Sequence, residues 1–128
     1  MAYVPVAIGL VMHQGRILIG RRAAGSHLAG FWEFPGGKRR AGESWENCLR
    51  RELKEELGIS VDAPVRFWEG RHAYRDRTVW LVALRCRLVR GQARPRASSE
   101  IRWVRPADLG DYAFPPANER LLYRLTSR

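Results

Sequence analysis

A chain of 128 residues, 45% of them hydrophobic, is long enough for one domain with a real core and too short for two, and 23 Lys+Arg against 13 Asp+Glu give it a formal charge of +10 that favours anionic partners such as nucleotides, polyphosphates or nucleic acid. Only Lys38 and Lys54 are lysines, so a codon bias toward arginine explains the excess as readily as function does, and charge alone selects no activity. Cys48 and Cys86 lack the spacing of a disulfide framework or zinc site; no apolar run approaches the roughly 20 residues of a bilayer span, and Met1 to Pro5 lacks the basic start of a signal peptide. The expectation is one domain, 1–128, without a membrane, in a reducing cytoplasmic setting.

Val4 to Met12 is rich in apolar and β-branched residues, His13-Gln14-Gly15 signals a turn, and Arg16 to Gly20 resumes an extended pattern, so the chain should open with a β-hairpin. A loop from Ala23 to Gly30 leads to Phe31-Trp32-Glu33-Phe34, and Pro35-Gly36-Gly37 punctuates the chain before Lys38 to Glu43. Ser44 suits an N-cap, Glu46 puts negative charge in the first turn, and Gly58 stands where a left-handed residue would end a helix, which predicts a helix over 45–57. Trp45, Leu49, Leu53 and Leu57, with Cys48 beside them, form an apolar stripe for packing on a sheet. Further strands are expected over 65–68, 78–88 and 101–104, with a turn or loop at 90–93. Pro115 and Pro116 suit only the first turn of a helix, which places a second one from about Pro116 to Thr126. The irregular alternation implies an α/β (α+β) fold, a mixed sheet with helices on its faces.

On the first helix Glu52 lies three positions before Glu55 and four before Glu56, so the three carboxylates share one edge and repel. A solvated acidic face with Lys54 and Arg51 as partners is one reading; a bound cation is the other, and all-oxygen ligation then selects Mg²⁺, with Mn²⁺ as the alternative. Gly36-Gly37 lets the backbone approach a ligand or metal closely, the 38–42 loop returns Glu43 toward the helix, and Arg51 can hold a glutamate in a bidentate pair or touch phosphate. With these three elements agreeing, the cation reading prevails.

Residues 37 to 59, Gly37-x5-Glu43-x7-Arg51-Glu52-Leu53-Lys54-Glu55-Glu56-Leu57-Gly58-Ile59, resemble a complete Nudix box. The resemblance implies a Nudix α/β/α sandwich and Mg²⁺-dependent hydrolysis of a nucleoside diphosphate linked to another group. It implies that Glu52, Glu55, Glu56 and the Gly37 carbonyl hold metal, that Glu52 activates water, and that Glu43 and Arg51 brace the loop and helix. Arg21 to His27, Glu33 to Gly37 and Phe114-Pro115-Pro116-Ala117-Asn118-Glu119 extend the similarity to the MutT branch, the 8-oxo-dGTP diphosphatases. By that resemblance Arg22 reaches the phosphate or sugar, Phe34 walls the base pocket with Tyr74 nearby, Asp76 and Arg77 lie over the base, and Asn118 reads the purine edge; His27 joins the substrate-binding residues more weakly. An amide suits 8-oxoguanine because oxidation turns the N7 acceptor into a donor. Family members commonly carry a further carboxylate six residues before a tryptophan; here that position is Ala97, and either Glu100 replaces it from a shifted loop or Glu52 acts without it and Glu100 is an ordinary strand-end charge. A monomer is expected, with a nucleoside triphosphate substrate and no stable nucleic-acid partner required. Alternatives are a Nudix pyrophosphohydrolase for CTP, dCTP or dinucleotides and, outside enzymes, a basic nucleic-acid-binding Nudix scaffold.

Overall fold

The computed structural model describes residues 2–96 and 98–127. Its first two strands, β1 (Ala2–His13) and β2 (Arg16–Arg21), form the expected hairpin, with His13 opposite Arg16. The connection works because Gln14 and Gly15 both take positive φ, 52° and 76°, the geometry that suits the twist of a tight hairpin. Two short strands follow, β3 (Trp32–Glu33) on β2 and β4 (Gly36–Lys38) on β1. After helix α1 (Trp45–Leu57) come β5 (Ser60–Val61), β6 (Val65–Ala73), β7 (Arg77–Arg90) and β8 (Glu100–Val104). The strands run in the order β3-β2-β1-β7-β5, with β4 also on β1, β6 on β7 and β8 on β2. Among the described residues only β1 and β7 pair in parallel, from Ala2 opposite Arg77 to Met12 opposite Arg87, so the sheet is mixed as expected.

Helix α1 covers one face of the sheet. Ser44 Oγ accepts the Asn47 N–H at 3.0 Å, Gly58 closes the helix at φ 71°, and Trp45, Cys48, Leu49, Leu53 and Leu57 are buried. They pack on Ala7, Val11, Val82 and Leu84, whose side chains alternate to this face. On the other face Ile8, Leu10, Ile19, Leu81 and Ala83 meet Leu109 and Leu121. Leu121 belongs to α2 (Glu119–Thr126), while Pro116–Asn118 form a separate 3-10 turn. The helix expected from Pro116 is therefore shorter, because Asn118, at φ −94° and ψ −5°, breaks the regular geometry between turn and helix. A second 3-10 segment, Pro106–Asp111, had no periodic signal in the sequence.

Because Leu53 is fully buried under α1, Leu53→Ala is expected to cost about 2–5 kcal/mol, read from urea midpoints at unchanged m. No helix of the described residues is long and apolar enough to cross a membrane.

Candidate active site

The site is assembled where β4 passes beside α1. A Cβ at Gly36 would strike the Ala7 carbonyl, and one at Gly37 would land on the Glu52 carboxylate. Glycine at 37 thus lets Glu52 lie directly against the strand. A methyl there must displace that carboxylate, so Gly37→Ala is expected to lower kcat by about 10²-fold, the scale of a 1 Å misplacement; a variant within twofold of the parent would show that this contact is dispensable.

Arg51 organises the acidic side chains. Its Nε and Nη2 donate to both oxygens of Glu43 at 2.7 and 2.9 Å, and Nη2 also reaches the Lys38 carbonyl at 3.1 Å. Its Nη1 donates to Glu52 at 3.1 Å and to Glu55 at 3.4 Å. Glu43 also accepts the Arg40 N–H at 3.0 Å, and the Arg51 fork, with that N–H, pulls its carboxyl down to about 2. The 38–43 loop is thereby tied to the helix. Cys48, read from sequence only as a reduced core residue, has its thiol 3.6 Å from the Gly37 carbonyl; burial first, then Glu43, pushes it up to about 11, so it stands there as a neutral donor.

A cavity of about 280 Å³ opens beside the Gly36-Gly37 turn, and among its lining residues are Arg22, His27, Phe34, Glu56, Arg77 and Asn118. Phe34 is 1% exposed and stacks on Phe114 with ring centroids 5.1 Å apart. Asn118, at 7% exposure, is the buried polar residue of the described core. The Tyr74 ring also lines the cavity and meets His27 edge-on at 5.7 Å and His72 at 4.7 Å. Asp76, expected over the base, is not on the lining: it is 65% exposed and paired with Arg77 at 3.1 Å, so Arg77 alone of the two faces the cavity.

Glu33 is a site residue that sequence reasoning passed over. It alternates with buried Trp32 on β3 and so points to the α1 side, where it holds Arg22 Nη1 at 2.7 Å; Arg22 Nε donates to the His27 carbonyl. Its signal was an acid inside the apolar run Phe31-Trp32-Glu33-Phe34. Burial raises Glu33 above the usual carboxylate range, with Arg22 opposing, and burial raises Glu52 as well. Glu56 is pushed up to about 7, first by burial and then by Glu52, Glu33 and Glu55.

Glu100 is turned away from the acidic helix. Ile101 packs toward the α1 face, so its neighbours turn away; Glu100 pairs with Arg21 at 3.5 Å and Arg102 at 3.2 Å, and Arg102 lies over Trp32 and Tyr112 on the opposite face. Ala97 lies outside the described residues.

The donor set fits a hard divalent cation: carboxylates with raised proton affinity beside a glycine turn that admits a carboxylate against its backbone. Among the described residues, no three acidic, cysteine or histidine side chains are yet drawn into a metal-holding group. Arg51 holds one oxygen each of Glu52 and Glu55, which leaves the second oxygen of each carboxylate for ligation.

A mixed sheet between two helical layers, with a braced carboxylate helix against a glycine turn, is the architecture of a Nudix hydrolase. The chain belongs to the NUDIX domain family, whose profile matches residues 6–124. It is 32% identical over 126 residues to the 8-oxo-dGTP diphosphatase of Escherichia coli, with 98% of each chain covered. It is also 31% identical over 122 residues to the CTP pyrophosphohydrolase of Escherichia coli, covering 95% of this chain and 90% of that protein. A solved MutT structure, from a study of Aliivibrio salmonicida and Vibrio cholerae, superposes with a TM-score of 0.80 at 31% identity, covering 98% of this chain and 97% of the other.

Proposed function

We propose that the protein hydrolyses 8-oxo-dGTP to 8-oxo-dGMP and pyrophosphate with Mg²⁺ as cofactor, removing an oxidised nucleotide before a polymerase can use it. The observation that carries this reading is the shared cavity: the buried Asn118 amide and the Glu56 carboxylate line the same space, so a base held by one is presented to the acidic helix beside the other. The similarity to the Escherichia coli 8-oxo-dGTP diphosphatase supports it.

In this reading Phe34 walls the base, Asn118 pairs with the N7–H and neighbouring carbonyl of 8-oxoguanine, and Arg22 and Arg77 meet the sugar or phosphates. Unmodified guanine offers an acceptor at N7 and leaves the amide carbonyl without a donor, which is how a buried polar group rejects the wrong ligand. Mg²⁺ held by Glu52, Glu55, Glu56 and the Gly37 carbonyl would neutralise the phosphates and make bound water more acidic. Glu52 accepts the proton of the attacking water, while Arg51 and Glu43 keep the helix and loop in register. We take the working unit to be a single-domain monomer, and its two buried free cysteines suit the cytoplasm.

Turnover of CTP or dCTP is the second reading, favoured by the similarity to the CTP pyrophosphohydrolase. Incubating the protein with Mg²⁺ and 8-oxo-dGTP, CTP, dCTP or dinucleotides, and identifying products, separates the two. Monophosphate and pyrophosphate from 8-oxo-dGTP above all others are expected; fastest turnover of CTP would transfer the assignment.

Proton linkage gives a further expected result. Metal-free, folded Glu56 keeps its proton up to about 7, whereas the unfolded group loses it near 4.5. The folded state therefore binds more protons between these values, and the stabilisation, complete below 4.5, is lost as pH rises through about 7. Glu33 and Glu52 act in the same sense. In EDTA, Tm should fall between about pH 5 and about pH 8, and Glu56→Gln should flatten that fall; a Tm that rises over this range contradicts it.

A further inference from the structure

Arginines outside the catalytic cavity lie against aromatic rings, and their contacts join into one track around β6. On the α2 side, the guanidinium carbons of Arg85 and Arg124 stand 5.5 and 5.4 Å from the Phe67 ring centroid. Arg85 and Arg66 share the wall of an open cleft of about 660 Å³, which Phe67 and Met12 also line. On the α1 side, Arg66 stands 6.0 Å from the Trp45 ring and Arg39 stands 4.6 Å from it. Trp45 meets Trp80 edge-on at 5.0 Å, and Arg71 continues the series, 4.9 Å from Trp80 and 5.9 Å from Tyr3. Among the described residues β6 pairs only with β7, so the track wraps around the rim of the sheet.

Two acids beside it are already engaged. Asp62 accepts from the Arg87 N–H at 2.7 Å and its Nε at 3.1 Å, and Glu69 accepts from Trp80 Nε1 at 2.8 Å. No carboxylate of a described residue pairs with Arg66, Arg71, Arg85 or Arg124. A guanidinium held by a ring keeps its N–H groups directed sideways, pre-placed for phosphate. A small anion requires cations converging on one point. These are instead distributed along an open rim with aromatic surface between them, which matches the repeating charges and unstacked bases of a flexible strand.

We infer that this track binds single-stranded nucleic acid through its phosphates, without sequence preference and independently of nucleotide hydrolysis. The test uses a fluorescently labelled mixed-sequence single-stranded DNA of about 15 nucleotides, with anisotropy followed across a salt series. The triple variant Arg66→Gln, Arg71→Gln, Arg85→Gln should weaken binding at least about tenfold and lower the log–log salt slope by about 2, near 0.7 for each phosphate no longer neutralised. A control triple on exposed arginines elsewhere, Arg16→Gln, Arg94→Gln, Arg120→Gln, should change affinity less than about twofold. Retained nucleotide hydrolysis reports that the track variant is folded; Arg71→Gln alone, on an exposed side chain, should still weaken binding by about threefold. No binding by the parent protein at about 50 mM salt, equal weakening by both triples, or tighter binding of duplex than of strand would overturn the inference.

Discussion

Glu52→Gln should lower kcat by roughly 10²–10⁴-fold, the range for loss of a positioned acid–base group, while the metal-free protein keeps or gains thermal stability. Both effects have one origin. Glu52 is pressed between the Gly37 backbone and Arg51, with its side chain only 12% exposed, and burial raises its proton affinity. A neutral amide of the same shape keeps the packing and removes the cost of a buried charge, but it cannot take a proton from water and is a poorer ligand for a cation. Steady-state kinetics with Mg²⁺ and a melting curve in EDTA measure the two halves. Activity within about twofold of the parent would remove Glu52 from the chemistry, and a large loss of Tm would mean that it acts chiefly as a structural partner of Arg51.

Asn118→Ala should abolish discrimination more than it abolishes hydrolysis. The amide takes no part in the ion pairs that brace the helix, so its loss leaves Glu52, Arg51 and Glu43 undisturbed. Two hydrogen bonds at a buried amide correspond to a drop of about 10²-fold in the ratio of kcat/KM for 8-oxo-dGTP over dGTP. Hydrolysis of dGTP itself should change by less than about fivefold. Losses shared equally between the two nucleotides would make Asn118 a packing residue of the turn before α2.

How far the sequence disclosed this arrangement depended on how local each signal was. Ser44, the Trp45-Leu49-Leu53-Leu57 stripe and Gly58 act within one helix, and that helix stands where they place it. The hairpin was equally legible, since the turn at Gln14-Gly15 and the strand pattern adjoin. By contrast β3, β4 and β5 comprise two or three residues each and exist only through partners far along the chain, so no periodicity could announce them. The same limit governed side-chain direction. Glu100 was close enough in sequence to replace a loop carboxylate, but alternation along β8 sends it to the wrong face. Asp76 and Arg77 were interchangeable on paper, and only the path of the loop before β7 turns one to the cavity and the other outward. Glu33 was hidden among aromatic residues whose core role drew attention from the one acid between them.

A hydrolytic helix beside a cavity built around a buried amide is tested most directly by the ratio of kcat/KM for 8-oxo-dGTP over dGTP with Mg²⁺. The geometry predicts a ratio of at least about 10², because the unoxidised base leaves the Asn118 carbonyl without a donor in a buried site. A ratio near one would contradict it.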